Sequence, residues 1–215
     1  MAKRANNTTK KFPSDTRWHS SNAVFLRHAR IPPLYWEAEL PAAGALANFA
    51  AQLEGNLKEG IGLLLTGPNG SGKTYASCAL ARQALAFTAR VLYIPAPDMV
   101  QAFIKHSKFD EDFLMEDAFR NRVLLVIDDV GQEYRGSGSG FSEQNVVNLI
   151  RYRITYKRAT ILTTNMNIEQ LTETYGKGFA SLLQQGMVTI LMSGADRRKE
   201  GRKELLEKSG VSRNS

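Results

Sequence analysis

The chain has 215 residues, 43% hydrophobic and 23% charged, with a formal net charge of +7 and a pI near 9.6. That length buries one substantial core and suits a single domain with extended ends. No apolar run approaches the roughly 18 residues that cross a bilayer, and the lone Cys78 excludes an internal disulfide and a cysteine zinc cluster.

From the N-terminus, residues 1–12 have the Asn, Thr and Lys content of a disordered arm, and residues 1–30 hold seven Lys or Arg against one Asp. This start is basic without an apolar h-region, which predicts a cytoplasmic protein. Arg17-Trp18, Phe25-Leu26-Arg27-His28 and Ile31-Pro32-Pro33-Leu34-Tyr35-Trp36 mix basic and large apolar groups around a proline pair that stops a helix. Such a segment either docks on a partner or folds as a flap on the core. Ala42 to Leu57 has an alanine-rich amphipathic pattern, a helix ending at Gly60.

Beyond Gly60 the pattern alternates between strand and helix. Strands are predicted at Gly62 to Leu65, Val91 to Ile94, Val123 to Ile127, Thr160 to Thr164 and Val188 to Met192. Two helical patterns fill Pro97 to Asn121, divided near Lys108-Phe109-Asp110, and Gly136-Ser137-Gly138-Ser139-Gly140 reads as a flexible loop. The alternation predicts an α/β fold whose parallel sheet is covered by helices on both faces, with ligand at the carboxyl ends of the strands. Residues 196–215 close the chain with seven Lys or Arg against four acids, so the basic excess sits at the two ends. Basic ends suit arms that touch nucleic acid phosphates or an acidic protein surface, or serve as solubilising tails.

Gly67-Pro68-Asn69-Gly70-Ser71-Gly72-Lys73-Thr74 matches GxxxxGK[ST] in full between the first strand and a helical stretch, a Walker A phosphate loop. The glycines let successive N–H groups point at phosphate oxygens, and the following helix adds its positive dipole end. Lys73 would reach the β and γ phosphates of ATP, and Thr74 would offer a hydroxyl to Mg2+. Cys78 falls in the apolar pattern of that helix and reads as core packing. Leu124-Leu125-Val126-Ile127-Asp128-Asp129 is a buried-strand run ending in two carboxylates, a Walker B pattern. Asp128 would hold the magnesium ion or its waters, and Asp129 would polarise an attacking water. Thr160 to Thr164 ends in Asn165, whose amide is placed to donate to the γ phosphate or orient that water. His19, His28 and His106 have no metal-ligand spacing, and no G-x-S-x-G nucleophile motif occurs.

GPNGSGKT, LLVIDDVG and TILTTN, followed by YGKGFASLL and SGADRR, resemble the DnaC/IstB family of AAA+ ATPases over roughly residues 30 to 200. The stretch Asp128 to Arg135 is most similar to phage-type replicative helicase loaders. The resemblance implies an ASCE P-loop NTPase, a three-layer αβα sandwich with a five-stranded parallel sheet in the order 5-1-4-3-2 and no separate helical lid. It implies a partly disordered basic arm at 1–30, an ATPase domain at 31–200 with a flank at 31–60, and a tail at 201–215. The helical insertion would contact single-stranded DNA, with Lys105, His106 and Lys108 as its basic candidates. Asn165 takes the sensor I position, and Arg197 or Arg198, the latter favoured by spacing, the sensor II position. Ser181-Leu182-Leu183 stands where the family carries an arginine finger, leaving Arg135, Arg151, Arg153 and Arg158 as other cations for action in trans.

By this resemblance the chain is a helicase loader in DNA replication that binds single-stranded DNA and a hexameric replicative helicase. It would hydrolyse ATP to ADP and phosphate weakly, under partner or DNA stimulation, and form a homo-oligomer on ATP or DNA. Other readings are an IstB-type transposition helper on double-stranded DNA, an ATP-binding adaptor with negligible turnover, and a small-molecule P-loop kinase. No membrane partner is expected.

Overall fold

The computed structural model describes residues 22–106, 119–132 and 140–193. Strands β1 (Gly62–Thr66), β2 (Val91–Pro95), β3 (Leu124–Val130), β4 (Ala159–Thr164) and β5 (Met187–Leu191) form one sheet in the order β2-β3-β4-β1-β5. Every neighbouring pair is parallel, and read from the β5 edge the order is the expected 5-1-4-3-2. The four strands from β2 to β1 are runs of Leu, Ile, Val and Thr buried along nearly their whole length, as a sheet covered on both faces requires.

The period-2 alternation of the strands divides the core in two. Leu63, Leu65, Leu124 and Val126 face one layer, made by α1 (Ala23–His28), α2 (Ala45–Ala51), α3 (Leu53–Glu59) and α4 (Lys73–Ala84). Leu64, Leu125 and Ile127 face the other, made by α5 (Ala96–His106), α6 (Phe141–Thr155), α7 (Ile168–Tyr175) and α8 (Lys177–Gly186). Cys78 is fully buried in the first layer, where its thiol packs as a small hydrophobe.

The single helix expected from Ala42 to Leu57 is two helices. Gln52, at φ −102 and ψ 11, leaves helical geometry and divides α2 from α3. The break lets Leu46, Phe49 and Ala50 on one piece, and Leu53 and Leu57 on the other, reach the same core. Gln83 of α4 donates to Ala50 O at 2.9 Å across the junction. The proline pair does stop α1, but Pro33 also starts a 3-10 turn, Pro33–Tyr35, since its missing N–H costs nothing there. This flank folds onto the core: Arg82 of α4 donates to Trp36 O at 2.8 Å and Tyr75 OH accepts from Glu39 N at 3.0 Å. Ala29 O accepts from Tyr93 N at 2.7 Å, which covers the outer edge of β2.

α5 fills the first helical pattern of the insertion. Lys108 and the bulk of the second pattern lie outside the described residues, as do the glycine-serine loop through Ser139, Arg135, the arm to residue 21 and residues from 194 onward, including Arg197 and Arg198. Among the described residues no helix is long and apolar enough to cross a membrane.

Candidate nucleotide-binding site

The site is built where β1, β3 and β4 end. Gly67 leaves β1 at φ 143, and a Cβ there would stand 2.3 Å from Met192 O, in the chain that continues β5. Only a hydrogen fits at that position. Gly70 and Gly72 follow with φ of 81 and 90, left-handed turns that swing the loop back over the first turn of α4. α4 begins at Lys73 itself, so the free N–H groups of its first turn face the loop.

Lys73 is 5% exposed, and its Nζ donates to Gly67 O and Pro68 O at 2.8 Å each and to Asn165 Oδ1 at 2.7 Å. The ammonium thus ties the loop to the end of β4. Asp128 is 4% exposed and accepts from Thr74 Oγ1 at 3.1 and 3.0 Å, from Thr163 Oγ1 at 2.5 Å and from Tyr93 OH at 2.7 Å. Three hydroxyls therefore surround one carboxylate and occupy both of its oxygens.

β3 does not end before its acids, as the sequence pattern predicts. It runs on to Val130, with a register shift between Ile127 and Val130. Asp129 sits in that irregularity at φ 59, and its N–H donates to Thr163 Oγ1 at 2.9 Å. The bulge aims the two consecutive carboxyl groups differently: Asp128 is held by buried hydroxyls, while Asp129 is part-exposed.

Tyr93 and Thr163 are members of the site that sequence reasoning missed. Tyr93 is the one aromatic in the aliphatic run of β2, and a buried phenol demands a hydrogen-bond partner, which was the available signal. Its hydroxyl is pushed well above the usual phenol range by burial first, then by the charge of Asp128. Burial, then Asp128, pushes the Cys78 thiol up as well.

The loop fits a polyphosphate. Ser71 Oγ is buried without a hydrogen-bond partner, a donor waiting beside the amide-lined turn at the head of α4. Thr74 and Asp128, in mutual contact, are hard oxygen ligands of the kind that hold magnesium alongside phosphates.

The alternative cations fare differently. Arg153 is fully buried and donates to Thr160 Oγ1 and to the carbonyls of Phe119, Arg120, Arg122 and Ala159, so it is not available in trans. Burial first, then Arg158, draws its guanidinium down to about 9. Arg158 stands at the amino end of β4, away from the phosphate loop, and Arg151 is exposed on α6. Leu182 and Leu183 are buried in α8, where they pack the second core layer.

The chain is 32% identical over 113 residues to the chromosomal replication initiator DnaA of Streptococcus agalactiae, a match covering 52% of this chain and 25% of that protein. It thus spans about a quarter of the length of the curated relatives it matches. The crystal structure of the DnaC helicase loader superposes with TM-score 0.64 at 20% identity, covering 75% of this chain and all of that one. DnaI gives 0.62 at 22% identity over 78% of this chain and 94% of its own. AMPPCP-bound DnaA from Aquifex aeolicus gives 0.61 at 20% identity over 86% of this chain and 58% of its own. These likenesses carry the fold, a P-loop AAA+ sandwich. The IstB-like ATP binding protein family matches residues 56–187, more than half of the chain, and the protein belongs to that family of AAA+ ATPases.

Proposed function

We propose that the protein is an ATP-hydrolysing helicase loader that acts in DNA replication, engaging single-stranded DNA and a hexameric replicative helicase. The observation that carries this reading is the joined site, Lys73 on Asn165 and Thr74 on Asp128, within a fold that covers the whole of the DnaC loader chain. Bound magnesium and ATP would supply the phosphoryl group and the charge that the site reads. Lys73, Ser71 and the backbone N–H groups from Asn69 to Thr74 would hold the phosphates, and Thr74 and Asp128 would hold the metal. Asp129 would orient and polarise a water, and the amide NH2 of Asn165 would donate to the terminal phosphate. Arg198 is proposed as the cation that completes the site from beyond β5. ATP acts here chiefly as a conformational ligand, whose γ phosphate contacts with Lys73, Asn165 and an arginine would order loops that favour the bound state.

The family match favours a second reading, an IstB-type helper that coats double-stranded DNA and recruits a transposase. One experiment separates the two. The full chain is mixed with purified replicative helicase or transposase of its host, with ATP, and complexes are resolved by size. Capture of the helicase hexamer that is lost in Lys73→Ala supports the loader; capture of transposase alone, with preference for duplex DNA, replaces it.

A further inference from the structure

A cavity of about 390 Å³ lies at the end of the sheet opposite the phosphate loop, lined by Glu54, Leu57, Lys58, Phe87, Thr88, Val123, Lys157 and Arg158. Its walls come from the end of α3, the turn after α4, and the residues that lead into β3 and β4. α4 has 12 residues, so roughly 18 Å of helix separates this cavity from Lys73.

Three properties of the cavity point to an anion with an attached flat group. Arg158 Nε is buried without a hydrogen-bond partner, an orphaned donor of the kind a ligand satisfies. Phe87 is 44% exposed beside Leu57 and Val123, an aromatic face left open to solvent. Cationic side chains also line it: Lys58, Lys157 and Arg158. Among the described residues no carboxylate pairs with Arg158. The pairs at the rim, Lys58 with Glu54 at 2.7 Å and Lys157 with Glu59 at 3.5 Å, are exposed and screened, so a phosphate can take over either lysine. Helix dipoles account for Lys58 in the last turn of α3, whereas Arg158 Nε is left without a hydrogen-bond partner.

We propose that this cavity is a second nucleic acid site, which takes one nucleotide of a single strand with its phosphate on Arg158 and Lys157 and its base against Phe87. The site works without the phosphate loop and goes beyond the loader reading, since it assigns a strand contact to the amino end of the sheet. Stacking on an open aromatic beside a cationic groove is how single strands are held without sequence preference.

The test uses the full chain with the phosphate loop saturated by AMPPCP, and measures anisotropy of a labelled short oligodeoxythymidylate, with thymidine monophosphate in a parallel arm. Phe87→Ala and Arg158→Gln should each weaken oligonucleotide binding about tenfold. Lys157→Gln with Arg158→Gln should reduce the salt slope by about 0.7, one phosphate contact on a single strand. Binding of AMPPCP should stay unchanged, so failure here is distinct from failure at the phosphate loop. If monophosphate binding responds to the same variants as strongly as the strand does, the occupant is a free nucleotide of the same chemistry. Photo-crosslinking of an iodouracil oligonucleotide to the wild-type protein provides a readout independent of folding, with the adduct expected on the peptide that carries Phe87. Unchanged affinity and salt slope in folded variants, adducts confined to other segments, or a polyglutamate peptide that shows the variant sensitivity in place of the oligonucleotide would each overturn the proposal.

Discussion

The ammonium of Lys73 donates to Oδ1 of Asn165 at 2.7 Å, joining the phosphate loop to the end of β4 across 92 residues of sequence. With Gly67 O and Pro68 O as its other acceptors, the lysine is held inside the loop it serves. A phosphate must therefore compete with protein oxygens for this charge. Lys73→Ala should lower ATP affinity at least about 100-fold, the loss of a buried charge-assisted contact. Asn165→Ala should leave affinity within about tenfold but slow single-turnover hydrolysis by about 10²-fold, as loss of a donor aimed at developing charge does. Titration with a fluorescent ATP analogue and quenched-flow hydrolysis measure the two effects, and equal loss of binding in both variants would contradict the division of labour.

Asp129 carries its side chain from a left-handed backbone at φ 59, a region that Asp, Asn and Gly tolerate. Asp129→Asn should keep the fold within about 0.5 kcal/mol while hydrolysis falls and ATP stays bound. Asp129→Val should cost about 1–3 kcal/mol, because a β-branched residue is strained there. Urea denaturation separates the two; equal stability of both variants would show that the bulge relaxes freely.

Asp128 depends on neighbours that belong to other strands. Tyr93 OH donates to its Oδ2 at 2.7 Å, and Thr163 Oγ1 donates to its Oδ1 at 2.5 Å while accepting from Asp129 N at 2.9 Å. Thr163 thus couples both carboxylate-bearing residues. Tyr93→Phe should raise the magnesium concentration needed for tight ATP binding about 3–10-fold. Because burial and the charge of Asp128 hold the phenol above its ordinary value near 10, the folded state resists its ionisation and the unfolded state does not. Its contribution is then complete below about pH 10 and falls as pH rises beyond that. The stability advantage of wild type over Tyr93→Phe should be flat from neutral pH to about 9 and shrink above 10; an advantage that grows with pH would reverse the sign.

The strands and the phosphate loop were legible because each rests on a local pattern, whereas the strand order came from the family resemblance. Apolar runs separated by helical patterns force a parallel sheet, and GxxxxGKT states its own backbone requirement. What escaped depends on contacts between distant segments. Nothing local in Val91 to Ile94 says that Tyr93 faces Asp128, since that follows from the β2 to β3 register, with Pro95 opposite Asp128. The continuation of β3 through two aspartates was hidden because charged residues normally end a buried strand, and only the hydroxyls of Tyr93, Thr74 and Thr163 make Asp128 tolerable there. Arg153 escaped for the opposite reason: an arginine on a helix reads as solvated, and the carbonyls that bury it come from residues 119–122 and 159.

Arg153 also carries the sharpest stability prediction. It has no exposure, and its guanidinium satisfies the carbonyls of Phe119, Arg120, Arg122 and Ala159 together with Thr160 Oγ1, joining the entry to β3 to the start of β4. Arg153→Met keeps much of the volume but leaves those oxygens unpaired in the interior, at about 3–5 kcal/mol. Arg153→Lys supplies a compact ammonium with three donors in place of a planar fork with five, so it should recover only part of that loss. Urea denaturation gives the ranking, wild type above Arg153→Lys above Arg153→Met, and amide hydrogen exchange should quicken first at residues 119–124, where the carbonyls lose their anchor. A change below about 1 kcal/mol in Arg153→Met would mean that water enters and replaces the guanidinium, and the arginine would then be free to serve elsewhere.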